Sequence, residues 1–379
     1  MRKPIYLDYN ATTPVDPAVV DAMEPYLREH FGNPSSDHAY GYRTRSAVQT
    51  AREQLAELLG AAPEEVIFTG GGSEANNLAI KGVAYALRER GRHIITSAVE
   101  HPAVAAPLRF LERQGYQVTT LPVDTTGRVD PAEVAAALTD QTILVTIMHA
   151  NNEVGTIQPI RAIVEIAHTR GVLVHTDAAQ TVGKIPIDLQ ALGADLLTVV
   201  GHKFYAPKGI GALIVRRGVQ LEPLIHGAGH EDGRRAGTEN IPYLLGLGQA
   251  AALAQERLHI YQEQVRALRD ELHRGILERV PSAVLNGHPT ERLPNTLNLS
   301  FQGVNAGDLL AAIRDEIACS TGSACHAGHA APSSVLLAMG RDAGLASAAL
   351  RLSLGWGTTE QEVQRAATVI GDAVRDRIR

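Results

Sequence analysis

The chain has 379 residues, which is enough for a large hydrophobic core and for two domains. Charged residues make up 20% of it and the formal net charge is -6, so neither a nucleic acid nor a membrane surface is expected as a partner. Two cysteines exclude a disulfide scaffold, and without a signal-peptide pattern or a transmembrane-length apolar run the expected location is the cytoplasm.

Alternating strands and helices are predicted along the first two thirds of the chain. A short edge strand is expected at 5–10, and a helix at about 38–59 follows an irregular stretch at 32–36. Further strands are expected at 66–69, 94–96, 118–121, 143–148, 172–174, 196–200 and 211–215. These runs are continuously apolar, which is typical of a parallel sheet that helices cover on both faces. The sequence therefore predicts an α/β fold with a mostly parallel central sheet.

A long amphipathic helix is predicted where this pattern ends. Between 251 and 280, apolar residues recur at helical spacing at Leu258, Tyr261, Val265, Leu268, Leu272 and Ile276. The closing helix shows the same spacing at Val363, Ala367, Ile370, Val374 and Ile378. We therefore expect a large domain at 13–255 and a smaller α+β domain formed by 1–12 and 256–379.

Lys203 is distinctive among the five lysines because it follows the pattern of a buried strand. The apolar run 196–200 ends at Gly201 and His202, which places Lys203 at the edge of the predicted sheet. Apolar surroundings make an ammonium ion costly to desolvate and favour the neutral amine, which Schiff-base chemistry with a carbonyl cofactor requires. The alternative interpretation is a surface lysine just beyond a strand.

Two other strand ends carry groups that suit a phosphorylated cofactor. The glycines and serine at 70–73 lie between a strand and a helix, where free backbone amides attract a phosphate, although a tight turn is the alternative. The Gly-Lys-Ser/Thr ending of a Walker motif is missing. Asp177 follows the strand at 172–174, where open parallel sheets bind ligands, and a carboxylate there suits a pyridine nitrogen. A helix N-cap is the alternative role for Asp177.

His101 and the amides at 151–153 are weaker signals at two more strand ends. His101 is suited to stacking on an aromatic ring, but a lone histidine more often has a structural role. Asn151 and Asn152 offer amide donors, and an ordinary turn is their alternative interpretation.

Taken in order along the chain, five motifs resemble those of the cysteine desulfurases. These are pyridoxal-phosphate enzymes of the class V aminotransferase group, with the selenocysteine lyases as close relatives. The resemblance covers about 6–359 and implies a type I pyridoxal-phosphate transferase fold, pyridoxal 5'-phosphate as the cofactor and a homodimer. The motifs are Asp8-Tyr9-Asn10-Ala11-Thr12-Thr13, Gly72-Ser73-Glu74-Ala75-Asn76-Asn77, Asn151-Asn152-Glu153-Val154-Gly155, His175-Thr176-Asp177-Ala178-Ala179-Gln180 and Gly201-His202-Lys203.

The resemblance implies roles for the matching residues around the cofactor. Asp177 would pair with the pyridine nitrogen, Gln180 with the ring hydroxyl, and His101 would stack on the ring. Thr238 would reach a phosphate across the dimer interface. The complete implied cofactor-binding set is Gly72, Ser73, His101, Asn152, Asp177, Gln180, His202, Lys203 and Thr238.

The resemblance also implies which residues act on the substrate. Lys203 would hold the cofactor and move protons at the substrate's α carbon, so that the implied catalytic set is Lys203, Cys325 and His101. Arg351 and Asn152 would grip the substrate carboxylate, to which a planar guanidinium donates two parallel hydrogen bonds. The implied substrate-binding set is Asn33, Asn152 and Arg351.

Cys325 lies in a stretch rich in glycine, alanine and serine, which is typical of a flexible loop. The resemblance implies that its thiolate attacks the sulfur of the bound substrate, leaving a persulfide on the enzyme and, eventually, alanine. His326 and His329 are close in sequence and would favour the thiolate. One thiol with two histidines makes a poor metal site, so no metal is expected. Cys319 is expected to be an inert buried cysteine.

The first function hypothesis is a homodimeric cysteine desulfurase that converts L-cysteine to L-alanine. It would supply sulfur for iron–sulfur clusters or other sulfur metabolism, with a sulfur-acceptor or scaffold protein as a further partner. The second hypothesis is a selenocysteine lyase acting on L-selenocysteine, because Val200 stands where many desulfurases have a hydroxyl residue and His326 follows Cys325. The third is an inactive scaffold for a sulfur carrier, against which the complete set of predicted catalytic residues argues.

Overall fold

The computed structural model describes residues 3–321 and 332–378. Within these residues the strands are Ile5–Tyr6 (β1), Val66–Thr69 (β2), His93–Ser97 (β3), Gln117–Leu121 (β4), Thr142–Thr146 (β5), Leu173–Asp177 (β6), Leu196–Val200 (β7), Gly211–Val215 (β8), Val284–Asn286 (β9), Thr296–Ser300 (β10), Ile317–Ala318 (β11) and Ala349–Ser353 (β12). The α-helices are Pro17–Arg28 (α1), Ala39–Leu59 (α2), Gly72–Ala86 (α3), Pro102–Glu112 (α4), Pro131–Ala137 (α5), Ile160–His168 (α6), Leu189–Leu192 (α7), Ile241–Ile260 (α8), Arg266–Arg279 (α9), Ala306–Ile313 (α10), Ser334–Ala338 (α11), Ala343–Ser347 (α12) and Glu360–Ile378 (α13). None of the helices in these ranges is long and apolar enough to cross a membrane.

A seven-stranded sheet in the order β2-β8-β7-β6-β5-β3-β4 forms the centre of the molecule. The pairs β3–β4, β3–β5, β5–β6 and β6–β7 are parallel, whereas β8 runs antiparallel to both β7 and β2. It follows that β2 points in the same direction as β7. The predicted mostly parallel central sheet is confirmed, and its strands lie close to their predicted positions.

Hydrophobic clusters on both faces of the sheet explain why the strand sequences are continuously apolar. Successive strand residues point to opposite faces. Ile94 and Leu196 join a cluster with α3 and α4, while their neighbours Ile95 and Leu197 join a cluster with α2 and α8. Each strand therefore needs apolar residues at consecutive positions, as in other sheets covered on two sides.

A second hydrophobic core lies around the antiparallel sheet β9-β10-β12. Helices α9 and α13 contribute to it, and Ile5 and Leu7 at the start of the chain are buried in the same core. The strand predicted at 5–10 is wrong beyond β1, because β1 pairs with the equally short β11 and the chain turns where the Ala11 N–H bonds to the Asp8 carbonyl.

The predicted long helix is confirmed but begins earlier, since α8 starts at Ile241 and packs against α1 and α2. It continues through a π-helical turn, Tyr261–Val265, into α9. The boundary expected after residue 255 falls inside α8 rather than in a loop. The division into 13–255 and the remainder therefore stays a prediction.

A stack of two aromatic rings connects the loop after β7 to the second core. The rings of Tyr205 and Trp356 are nearly parallel, with an interplanar angle of 6° and centroids 3.6 Å apart. The Trp356 backbone N–H donates to the Tyr205 hydroxyl, at 3.0 Å. Tyr205 adopts a left-handed φ of 71°, which costs energy for a residue with a side chain and is retained because these contacts enforce it.

Candidate active site

A cavity of about 490 Å³ lies at the carboxyl edge of the central sheet. Because β3, β5, β6, β7 and β2 point the same way, the residues that follow them meet at this edge. The structure brings most of the predicted site residues together here. The predicted residues that line the cavity are Gly72, Ser73, His101, Asn152, Asp177, Gln180, His202, Lys203 and Arg351.

Lys203 presents its amine to this cavity. Its Nζ donates hydrogen bonds to the backbone carbonyls of Asn10, at 2.7 Å, and Ala11, at 2.8 Å. Burial, followed by the positive charge of Arg351, lowers the pKa of Lys203 to about 8, although Asp177 and Asp8 act in the opposite direction. A substantial fraction of this amine is therefore neutral near neutral pH, as Schiff-base formation requires.

Asp177 is the last residue of β6 and is 5% exposed. One carboxylate oxygen accepts a hydrogen bond from the Asn76 amide, at 2.8 Å, and the other accepts from the Ala179 backbone N–H, at 3.0 Å. Residues 179–184 form turns, so Asp177 does not cap a helix. The two donors keep a carboxylate in place at the cavity wall, where it can pair with a cationic group.

The glycine loop leads directly into a helix that begins at the cavity. Helix α3 starts at Gly72, two residues before the position expected from the sequence, and Gly71 before it has a φ of 136° that favours glycine. A Cβ atom on Gly72 would lie 2.4 Å from Cγ2 of Val200, so only glycine fits beside this valine. The first amides of an α-helix have no intrahelical acceptor, which makes this end of the cavity suitable for a phosphate.

His202 lies near the same end of the cavity and is neutral. Burial and the charge of Lys203, with smaller effects of Lys208 and Lys184, lower the pKa of His202 to about 4. Its Nδ1 is 3.1 Å from the Thr12 hydroxyl. A neutral imidazole still carries one N–H for an anionic ligand.

Arg351 lies on β12, at the opposite wall, and is 6% exposed. Nη2 forms an ion pair with Asp8, at 2.8 Å, and Nη1 donates to the Asn152 carbonyl, at 3.2 Å. Its Nε has no hydrogen-bond partner among the described residues. Two contacts thus fix the guanidinium plane while one buried donor is left for a ligand.

His101 is the N-cap of α4, where its Nδ1 accepts the Ala103 N–H at 3.1 Å. Burial lowers the pKa of His101, with Asp177 opposing and Lys203 adding to the shift. Because Nδ1 accepts a hydrogen bond, the neutral ring carries its proton on Nε2, and the ring lines the cavity as expected. The structural alternative also holds, because the same ring caps a helix.

Among the described residues, two predicted site residues, Thr238 and Asn33, do not line this cavity. Thr238 lines a separate, smaller cavity beside Glu239, and the side chain of Asn33 accepts the Ser35 N–H instead of lining the central cavity. Cys325 lies outside the described residues. Burial, together with the charge of Asp8, raises the pKa of Cys319 to about 12, so its thiol stays protonated, in keeping with an unreactive cysteine.

Four residues that line the cavity or contact its lining had no predicted role: Asp8, Asn10, Asn76 and Lys184. Asp8 holds Arg351, Asn76 holds Asp177, and the Asn10 carbonyl accepts from Lys203. Asp8, Asn10 and Asn76 belong to the motifs that carried the resemblance, which was the available signal. Lys184 follows no recognisable pattern beyond being one of five lysines.

Comparisons with known proteins agree with this geometry. The profile of the family described as Aminotransferase class-V matches residues 5–366. Cysteine desulfurase IscS of Dictyoglomus turgidum is 47% identical over 371 residues, covering 98% of this chain and 94% of the relative. Cysteine desulfurase IscS of Methanosarcina thermophila is 47% identical over 375 residues, covering 99% and 93%.

Solved structures give the same result. A NifS-like protein superimposes with a TM-score of 0.92 at 37% identity, covering 98% of this chain and 100% of that one. The structure of SspA in complex with cysteine superimposes with a TM-score of 0.83 at 39% identity, covering 93% and 99%.

Proposed function

Because the chain belongs to the class V aminotransferase family and has the type I fold of its pyridoxal-phosphate enzymes, we propose that the central cavity binds pyridoxal 5'-phosphate. In this proposal Lys203 and Cys325 carry out the chemistry. The chain acts as a cysteine desulfurase, converting L-cysteine to L-alanine and transferring the sulfur to an enzyme cysteine as a persulfide. The observation that carries the proposal is the Lys203 amine, held at the cavity wall with a pKa of about 8.

The residues around the cavity fit this cofactor at three positions. The amides at the start of α3, with Ser73 and neutral His202, suit its phosphate. Asp177, held by two donors, suits its pyridine nitrogen. Lys203 supplies the amine that its aldehyde requires. When bound, the cofactor supplies an electron sink for the carbon atoms of the amino-acid substrate.

The protein's own groups then position the substrate and move its protons. We assign the substrate carboxylate to Arg351, whose Nε is the buried donor without a partner among the described residues, and to the Asn152 amide. A pKa near neutrality allows Lys203 to accept a proton at one carbon of the substrate and return it at another. His101, with its proton on Nε2, faces the same space.

We assign the sulfur-accepting thiol to Cys325, whose attachment point is described. Ser320 lines the cavity, and its backbone forms a bridge with Arg351 through hydrogen bonds of 3.3 and 2.7 Å. Cys325 is five residues further along, so its Cα can lie at most about 18 Å from that of Ser320. Its thiolate attacks the substrate sulfur; an S–S bond forms as the Cβ–S bond breaks, and the electron pair stays with carbon, which takes up a proton to give alanine.

We further propose a homodimer, in which Thr238 serves the cavity of a second copy. Thr238 does not line the cavity of its own chain. A group of large aromatic side chains is also exposed on the surface. Phe31 is 76% exposed and lies with its ring 5.5 Å from that of Tyr40, which is 59% exposed. Contiguous exposed aromatic surface is typical of protein–protein contacts. A sulfur-acceptor or scaffold partner and a cytoplasmic location stay predictions.

The experiment adds pyridoxal 5'-phosphate to purified protein and to two pairs of variants. We expect Lys203→Ala to lose the visible absorbance that the wild type gains, whereas Lys208→Ala, an exposed lysine, keeps it. Cys325→Ala should keep the absorbance but release almost no sulfide from L-cysteine, and Cys319→Ala should release it normally. A Lys203→Ala protein with an unchanged band, or a fully active Cys325→Ala protein, would remove that residue from the mechanism.

Two alternatives are tested by the same preparations. Turnover of L-cysteine and L-selenocysteine, measured side by side as alanine formed, separates a desulfurase from a dedicated selenocysteine lyase. Strong turnover of L-cysteine by the wild type also excludes the inactive scaffold.

A further inference from the structure

Lys184 is buried deep in the large core and takes no part in the mechanism above. It is 1% exposed, and it is one of the largest fully buried side chains of the described residues. Lys184 is not among the residues that line the cavity. A lysine in such a place is costly, because its charge or its N–H groups must be satisfied without water.

The amine of Lys184 donates to two acceptors. Nζ lies 2.8 Å from Oε1 of Gln180 and 3.4 Å from Oδ1 of Asn10. Burial, with the charges of Lys203 and Arg351, lowers the pKa of Lys184 well below its ordinary value. The nitrogen carries N–H groups in either protonation state, so its role as a donor to Gln180 does not depend on its charge.

These contacts determine which way the Gln180 amide faces. Gln180 Nε2 donates to the Asn10 carbonyl at 3.0 Å, and a carbonyl only accepts. With Oε1 held by Lys184 on the other side, a rotated amide would place its oxygen against the Asn10 carbonyl oxygen and would lose the hydrogen bond from Lys184 to Oε1. Both neighbours therefore favour the same orientation, which would otherwise be one of two.

The same orientation leaves one N–H of Gln180 for the cavity. The amide nitrogen has two hydrogens, of which the Asn10 carbonyl takes one, and Gln180 lines the cavity. The Asn10 carbonyl also accepts from Lys203 Nζ, so Lys184, Gln180, Asn10 and Lys203 form one continuous hydrogen-bonded chain.

We propose that Lys184 is a positioning residue that locks the Gln180 amide with an N–H group facing the cavity, where it donates to the ring hydroxyl oxygen of the bound cofactor. This inference rests on the proposed function. It adds a residue that never touches the cofactor but determines whether Gln180 presents a donor or an acceptor to it. Lys184→Met tests it, because the thioether side chain nearly fills the same volume but cannot donate a hydrogen bond to Gln180.

The readout is the pH at which the visible band of the cofactor-loaded protein changes. Without the N–H donor from Gln180, the ring oxygen holds its neighbouring proton more tightly. Lys184→Met and Gln180→Met should therefore each raise the midpoint pH of the band change by about one unit. In the double variant the midpoint should rise no further than in either single variant, because both changes remove the same donor. Lys3→Met, at an exposed lysine, is the matched control and should leave the midpoint unchanged.

Two results would overturn the inference. An unchanged midpoint in Lys184→Met means that Gln180 keeps its orientation unaided, and additive shifts in the double variant mean that Lys184 acts through its own charge. If Lys184→Met does not fold, Lys184→Gln replaces it; this variant keeps N–H donors without a charge, and a midpoint as high as that of Gln180→Met contradicts the positioning role. A wild-type protein that gains no visible band contradicts the proposed function instead.

Discussion

At the scale of single residues, Lys203 shows how burial prepares an amine for reaction. Burial, and after it the positive charge of Arg351, lowers the pKa of Lys203, while Asp177 and Asp8 raise it by less. The folded pKa of about 8 lies below the ordinary lysine pKa of 10.5, so the protonated form is disfavoured in the folded protein. The neutral, reactive fraction rises with pH and is nearly complete above pH 9.

The first prediction concerns the rate at which apo-protein takes up pyridoxal 5'-phosphate. Between pH 7 and pH 9 the rate constant for the growth of the visible band should rise about tenfold and then level off, because the neutral fraction of Lys203 follows a pKa near 8. A free lysine derivative, with its ordinary pKa, should show no levelling in this range and serves as the control. A rate that is flat across this range would contradict the assignment of Lys203.

The second prediction concerns Arg351. Arg351→Lys should raise KM for L-cysteine by about 10- to 100-fold with a smaller change in kcat. The three N–H groups of an ammonium diverge from one atom, so they cannot replace donors that sit on the separate atoms Nη2, Nη1 and Nε. Steady-state kinetics of alanine formation measures this split. Arg365→Lys, at an exposed ion pair with Glu316, is the matched control. An unchanged KM would exclude Arg351 from carboxylate binding.

Site residues were predictable where they follow a strand and unpredictable where they depend on distant partners. Asp177 is the last residue of β6, and Lys203 follows shortly after the end of β7. The sheet itself therefore brings the two residues together. Asn76 reaches Asp177 across 101 residues of sequence, and Asp8 reaches Arg351 across 343. No local pattern encodes such pairs, and only the three-dimensional fold reveals them.

At the scale of secondary structure, the junction between β2 and α3 is the element most closely fitted to its function. Gly71 takes up a backbone conformation that favours glycine, and Gly72 lies against Val200 on β7. Val200 stands where many desulfurases have a hydroxyl residue. Here a methyl group of Val200 contacts the loop at Gly72. The helix start is therefore held close to the sheet by packing.

The third prediction uses this contact. Gly72→Ala should weaken pyridoxal 5'-phosphate binding by about tenfold, because its Cβ would lie 2.4 Å from Val200 Cγ2 and the loop must move away. In the double variant Gly72→Ala/Val200→Ala the clashing methyl group is gone, and affinity should return towards that of Val200→Ala alone. Titration of the visible band measures each affinity. Equal losses in the single and double variants would show that the clash is not the cause.

Helices and strands were predicted well where one periodicity dominates and less well at their ends. Helix α2 was expected at about 38–59 and spans Ala39–Leu59. Helix α8 begins ten residues before the expected start, because its first turns are apolar on several sides and show no amphipathic pattern. The π-helical turn that joins α8 to α9 has no counterpart in the spacing of the apolar residues.

At the scale of the whole molecule, two hydrophobic cores meet next to the active site. The loop that carries Lys203 belongs to the large sheet, yet Tyr205 in that loop packs into the second core. Trp356 stacks on Tyr205, and the Arg257 guanidinium of α8 lies 4.5 Å from the Trp356 ring centroid. Sequence patterns located the two groups of strands, but they gave no information on this contact between them.

The fourth prediction follows from the stack. Trp356→Ala should lower the free energy of unfolding by about 2 kcal/mol, less than for a fully buried tryptophan because this ring is partly exposed. Trp356→Phe keeps an aromatic ring on Tyr205 and should lose less than half of that. Urea unfolding followed by circular dichroism measures both. Equal stability of the alanine variant and the wild type would mean that the stack does not hold the two cores together.

Trp356 is also the single tryptophan of the chain. The ring stacks on Tyr205 in the loop of Lys203 and lies against Arg257 of α8, so its emission reports on this one place without any attached dye. We expect the quenching of this one fluorophore to change when the active site is loaded or when the two cores separate. The protein thus carries an intrinsic optical probe at the point where the loop of Lys203 meets the second hydrophobic core.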